Sequence, residues 1–180
     1  MSLPQLSVTA FRIAAPSDAA TLALLVNSAY RGDSSRAGWT TEADLLSGQR
    51  TDVREILRLI EAQNSLLLLA LNDEEIVGSV HLGRVDATRA YLGMLVIKPV
   101  LQGRGLGSQL VRVAETRAID EWNAVRMEMQ VITLRGELIA YYERRGYRRT
   151  GEIRPFPAEP EFGLPKVAGL QLAVLEKLLR

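Results

Sequence analysis

Cysteine is absent from this 180-residue chain and histidine occurs once, at His81. Disulfides, thiolate metal sites and a cysteine nucleophile are thereby excluded, and one imidazole cannot build a histidine metal cluster. The missing cysteine is compatible with a reducing compartment. An excess of either charge is lacking too. Lys plus Arg number 22 against 21 for Asp plus Glu, a net +1, so no whole-molecule field draws the chain to nucleic acid or a membrane surface. No apolar run approaches membrane-spanning length, and the opening MSLPQLSVTAFRIA has neither the basic head nor the unbroken apolar core of a signal peptide. These absences predict a cytoplasmic protein with no metal, nucleic acid or membrane as partner. With 47% hydrophobic and 24% charged residues, the length suits one well-buried domain over residues 1–180 and is short for two.

What the chain does have is a distinctive stretch at 91–112, YLGMLVIKPVLQGRGLGSQLVR: an apolar run broken by Pro99, a glycine-rich turn, and the start of an amphipathic helix. In Gln102-Gly103-Arg104-Gly105-Leu106-Gly107 the glycines allow backbone angles that other residues avoid and clear the approach to the main chain. The N–H groups of such a turn, with the positive end of the following helix, form a cradle for an anion such as a di- or triphosphate, without any lysine. Arg104 is placed to add a charge-assisted contact, and Ser108 closes the turn. A Walker loop would need lysine before Ser108, and a dinucleotide fingerprint would need Gly-x-Gly-x-x-Gly; neither spacing fits.

Periodicity orders the rest. Residues 6–14 read as a first strand, and Pro16-Ser17-Asp18 opens a helix that runs to Tyr30 and ends at Arg31-Gly32-Asp33. A short helix is expected over 41–47, with Thr41 and Asp44 as a capping box, and another after Asp52, whose box partner is Glu55. The run SLLLLAL at 65–71 reads as a buried strand, 76–84 as its hairpin partner and 90–97 as the next strand. A helix over about 105–121 follows, then the clearest period-2 alternation in the chain, at 125–131. A helix over 134–145 stops at Gly146, a strand starts at Tyr147, the four prolines in 152–166 indicate a long loop, and a last strand falls near 169–176. The order β-α-α-β-β-β-α-β-α-β-β predicts a mixed α/β layer structure.

Gln102, Gly105 and Gly107 occupy the fixed places of the pattern Gln/Arg-x-x-Gly-x-Gly/Ala, and in this register the chain resembles the GCN5-related N-acetyltransferases (GNAT). The element order resembles that family's along the whole chain. The resemblance implies a single-domain, mostly antiparallel sheet flanked by helices, acetyl-CoA as cosubstrate without a metal, and transfer of an acetyl group to a primary amine of a small molecule or peptide by direct attack. It assigns the pyrophosphate to Gln102 through Ser108, and the pantetheine arm and thioester carbonyl to the main chain of Met94, Leu95 and Val96. The segment LIAYYERRGYRR resembles the family's A-x-x-x-Tyr-x-x-x-Gly-Phe/Tyr signature, with Tyr142 four before Gly146 and Tyr147 in place of the usual Phe, and the resemblance makes Tyr142 the partner of the departing thiolate. Tyr141 points about 100° away around the helix, and spacing alone does not exclude it.

A donor that stabilises the thioester oxygen needs no side chain, so the lack of a nucleophilic triad does not count against acyl transfer. A lysine-like amine with a pKa near ~10.4 must lose a proton first, and Glu128 is the candidate base, with Asp33 second. The acceptor pocket implied by the family comprises Tyr30, Asp33, Trp39, Glu42 and Arg50 on one side and Phe156 and Phe162 on the other. His81 reads as a strand-surface residue. Gly93, in the middle of a strand, indicates either a bulge or packing beside a large neighbour. The family's frequent dimers make a homodimer an expectation from resemblance only. Two competing classes are a non-catalytic acyl-CoA-binding module and a structural protein whose glycine turn binds nothing.

Overall fold

Residues 8, 10–160 and 163–179 are described in a computed structural model of the chain. The leucine run becomes β3 (Ser65–Asn72), in which successive side chains point to opposite faces. Leu66, Leu68 and Ala70 join one buried cluster while Leu67, Leu69 and Leu71 join another. A strand buried on both faces explains why the run is apolar throughout and not alternating.

Around β3 the chain builds a seven-stranded sheet in the order β1-β3-β4-β5-β6-β9-β7. Its strands are β1 (Ala10–Ile13), β4 (Glu75–Arg84), β5 (Arg89–Ile97), β6 (Arg126–Ile132), β7 (Arg148–Pro155) and β9 (Gln171–Leu178). Every neighbouring pair is antiparallel except β5 and β6. Helices α1 (Ala19–Tyr30) and α3 (Val53–Glu61) cover one face through Leu22, Val26 and Ile56. Helices α4 (Leu106–Trp122) and α5 (Gly136–Glu143) cover the other through Leu110, Ala114 and Ile139. This is the mixed α/β layer arrangement that the element order predicts, with the mostly antiparallel sheet that the resemblance implies.

Several local expectations are met in detail. The Asp52 carboxylate caps α3 by accepting the Glu55 N–H at 2.8 Å, although the Glu55 carboxylate accepts from the Thr51 hydroxyl instead of completing a box. Asp18 accepts the Ala15 N–H and pairs with Arg12, fixing a 3-10 turn, Pro16–Asp18, at the entry to α1. Gly146, at φ +92°, ends the α5 segment, and the Tyr147 N–H bonds back to the Tyr142 carbonyl.

Two expectations are corrected. Residues 41–47 form no helix: Thr41 accepts the Ala43 N–H, Asp44 pairs with Arg36, and Leu46–Ser47 becomes β2, a ribbon with β8 (Leu164–Pro165). The helical turn lies earlier, at α2 (Gly32–Ser35). The proline-rich stretch is not loop throughout, because β7 runs on to Pro155 as an edge strand, where the missing proline N–H costs no ladder bond. The first strand is shorter than 6–14, and of that stretch residues 6, 7 and 9 lie outside the described residues.

Candidate active site

The site starts from a fault in β5. His81 of β4 faces Gly93 and Ser79 faces Val96, so β5 holds one residue more than β4 between these pairs. The bulge sits at Met94, whose φ of +49° is left-handed. Gly93 is a glycine for the other reason: a Cβ there would lie 2.5 Å from the Tyr91 ring. The extra residue turns β5 over, so that Leu92 packs toward α4 and α5 while Met94 and Val96 pack toward α1 and α3. A bulged strand bends, and β5 parts from β6 beyond the pair Tyr91 and Glu128, only three residue pairs into their parallel ladder. Past that point the β6-facing N–H and C=O groups of β5 have no strand partner, and a gap opens between the strands.

Two cavities meet at this gap. The larger, about 430 Å³, runs from the splayed strands to the glycine turn. Gly103 and Gly105 hold φ of +77° and +83°, and no heavy atom lies within 4 Å of where their Cβ atoms would be. Gly105 is the N-cap of α4, so the first-turn N–H groups of Leu106, Gly107 and Ser108 have no helical acceptor, and these three residues line the cavity. Gln102 lines the cavity too, and its side chain is engaged in holding the frame. Its side chain accepts the Trp39 N–H at 2.7 Å and donates to the Ile97 carbonyl at 3.1 Å, tying the α2 segment to β5. A Cβ at Gly38 would lie 2.5 Å from Gln102 Oε1, so a larger residue there would push that amide aside. Arg104 is exposed and does not line the cavity. The cations that do are Arg135, at the N-cap of α5, and Arg144 and Arg145 from its end, none of them with a signal in the sequence. Arg145 donates to the Ser108 hydroxyl and lies 3.3 Å above the Tyr141 ring.

Tyr141 and Tyr142 separate cleanly in space. The Tyr141 ring packs against both Arg145 and Trp39, and a Cβ at Gly107 would lie 2.8 Å from its hydroxyl. Tyr142 is 5% exposed and lines both cavities. Burial foremost, with Tyr30 and Tyr141 nearby, pushes its phenol far above the ordinary tyrosine range, so it remains a proton-bearing donor. Tyr147 packs against Tyr142, and its buried hydroxyl is satisfied by Glu115, which Lys177 neutralises.

The second cavity, about 170 Å³, lies on the far side of Tyr142, between Tyr91–Leu95 and Met129–Ile132. Tyr30 bridges the two, its hydroxyl donating to the Leu95 carbonyl at 2.9 Å and its phenol raised to about 12, mainly by burial. Glu42, Arg50 and Phe156 line it as expected, and Arg31 and Arg135 join them. Trp39 lines the larger cavity instead. Asp33 lies on exposed α2 beside Arg36 and reaches neither cavity. Phe162 lies outside the described residues.

Glu128 is likewise absent from both linings. It is buried and held by Arg154 at 3.0 Å and Arg89 at 3.4 Å, so it anchors the start of the splay from outside the gap. His81 is half-buried, not on the surface. It bonds the Ser65 hydroxyl, and burial, with the positive charge of Arg50 added, lowers it to about 4. Among the described residues no group of three His, Asp or Glu could hold a metal ion, and no helix is long and apolar enough to cross a membrane.

No curated protein sequence matches the chain. Solved structures do. The Salmonella typhimurium protein yncA, solved with acetyl-CoA, is 18% identical and superposes with a TM-score of 0.69 over 97% of this chain and 95% of its own. A GNAT-family acetyltransferase of Streptococcus pneumoniae is 22% identical, with a TM-score of 0.65 over 94% and 98%. The ribosomal-protein-S18-alanine N-acetyltransferase of Escherichia coli is 12% identical, with a TM-score of 0.69 over 94% and 93%. At these identities the likeness is one of fold. The sequence profile of the acetyltransferase (GNAT) family, whose cosubstrate is acetyl-CoA, matches residues 33–147, more than half of the chain, and the chain belongs to that family.

Proposed function

We propose that the chain is an N-acetyltransferase that moves an acetyl group from acetyl-CoA to a primary amine of a small molecule or peptide. The observation that carries this reading is the meeting of the two cavities at the β5–β6 gap, with Tyr142 lining both. In this reading the N–H groups of Gly103, Gly105 and the first turn of α4 hold the pyrophosphate, with Arg144 and Arg145 adding charge. The free edge of β5 at Met94, Leu95 and Val96 holds the pantetheine arm and turns an N–H to the thioester oxygen, where negative charge gathers during attack. The acceptor amine enters from the smaller cavity. Its nitrogen forms the new C–N bond as the C–S bond breaks, its surplus proton passes to water, and Tyr142 donates a hydrogen bond to the departing thiolate.

Full transfer of the Tyr142 proton is uphill. Against a thiol near ~8.5, even an unshifted tyrosine near ~10 costs roughly 2 kcal/mol. Burial raises Tyr142 further, so its role here is stabilisation of the thiolate, with the proton supplied by solvent. Thiol release from acetyl-CoA in the presence of an amine panel tests the reading. Amine-dependent, saturable release is expected; binding of acetyl-CoA without release for any amine would replace the reading by a non-catalytic acyl-CoA-binding module. One observation favours that second reading: among the described residues, the smaller cavity has no carboxylate but Glu42, which two arginines hold.

A further inference from the structure

The lining of the smaller cavity has a charge balance that the transferase reading does not require. Arg31, Arg50 and Arg135 line it, and Glu42 is the one carboxylate among the described residues that does. Glu42 is committed: it pairs with Arg31 and, at 2.7 Å, with Arg135, all three side chains being about nine-tenths buried or more. Arg135 also donates to the Thr40 hydroxyl at 2.6 Å, yet its Nε is buried with no partner. Arg50 is half-buried, lies 5.7 Å from the Tyr30 ring centroid and forms no ion pair among the described residues. Among the described residues the lining therefore holds one carboxylate, shared by Arg31 and Arg135, and a further arginine, Arg50, that has no ion-pair partner there.

A buried charge without a counter-ion is costly, and in a ligand site the counter-ion is a part of the ligand. A polyamine or a lysine side chain would bring more positive charge to a lining already in excess. A peptide N-terminus brings its carboxylate only at the far end of the chain. The geometry points to an acceptor that carries its own anion next to its amine: we propose that the substrate is a small amino carboxylate of the α-amino acid class, its carboxylate paired with Arg50 and Arg135. This rests on the N-acetyltransferase reading and sharpens it.

The assignment also addresses the lack of a free base in the cavity. Nearby positive charge disfavours the ammonium form, and the α-amino group of a free amino acid, though its own carboxylate holds it above the ~8 of a peptide N-terminus, is still less basic than a lysine amine near ~10.4. The same arginines that hold the carboxylate thus favour the uncharged, attacking amine. Tyr30 and Gln130, which also line the cavity, add polar contacts without adding charge.

The test compares the twenty common α-amino acids with their carboxamides, which keep amine and side chain but lose the anion, and adds spermidine. Each is titrated calorimetrically into the CoA-saturated protein, and each is assayed by thiol release with acetyl-CoA. At least one amino acid is expected to bind and to exceed its carboxamide at least tenfold in kcat/KM, a difference of about 1.4 kcal/mol. Arg50→Gln is expected to remove most of that preference by raising KM for the acid, and Arg50→Lys, which keeps the charge, to restore part of it. Arg50 lies outside the buried Arg31–Glu42–Arg135 triad, so these variants avoid the fold's most exposed weakness. Carboxamides or spermidine used as well as the acids, or no binding of any acid, would overturn the assignment while leaving acetyl transfer standing. A protein that does not bind acetyl-CoA at all would overturn both.

Discussion

Gly105→Val puts the anion-cradle argument under direct strain. Gly105 holds φ +83° at the N-cap of α4 and nothing stands within 4 Å of its missing Cβ, so valine would clash with no protein atom. The cost to the fold is the left-handed backbone alone, about 1–3 kcal/mol for a β-branched residue. The cost to ligand binding is separate, because the new side chain would stand where a phosphate must reach the N–H groups of Leu106 and Gly107. Losing even one charge-assisted hydrogen bond of about 1.5–3 kcal/mol weakens binding roughly tenfold or more. Gly151 gives the control. It sits at φ +89° on β7, also with open space at its Cβ position and away from both cavities. Gly151→Val should lose similar stability in chemical denaturation and keep acetyl-CoA affinity within about twofold, as measured by calorimetry. Equal affinities for the two folded variants would refute the cradle.

Tyr142→Phe should leave acetyl-CoA affinity within about twofold and slow turnover by roughly tenfold to a hundredfold, read by thiol release at saturating amine. Glu128→Gln should lower stability by about 1–3 kcal/mol through its broken pairs with Arg89 and Arg154, while steady-state turnover stays within about twofold; a hundredfold loss with the fold intact would restore Glu128 as the base. Alkali should destabilise the fold before it ionises Tyr142. Tyr30 is raised to about 12 when folded, so between the unfolded value near ~10 and about 12 the unfolded chain releases a proton that the folded chain keeps. The stability that Tyr30 contributes is complete below pH ~10 and is lost as pH rises through this window, as denaturation midpoints across it would record.

Much of the fold was legible because its signals are local. The alternation at 125–131 becomes β6, the leucine run becomes the doubly buried β3, and the glycines at 103 and 105 take the positive φ that made them candidates. What sequence could not supply were partners distant along the chain. Thr41 and Asp44 satisfy a local capping rule, yet Leu46–Ser47 pairs with Leu164–Pro165, and the Ser47 hydroxyl bonds a carbonyl 117 positions away. Alternation placed Glu128 on the face opposite Met127 and Met129, but its ion-pair partners stand 39 and 26 positions away. Arg135 and Arg145 carry no motif at all. They enter the site because α5 docks beside the splay, with one at its N-cap and the other just beyond its end. Gln102 shows the reverse case, a motif residue whose side chain holds Gly38 and Trp39 in place.

The account stands most directly on a calorimetric titration of the purified chain with acetyl-CoA, with ATP and NAD as controls. Saturable micromolar binding of acetyl-CoA with no comparable response to either control is the predicted result. No saturable binding, or equal binding of all three, would contradict the claim that the glycine turn and the β5–β6 gap together form an acetyl-CoA site.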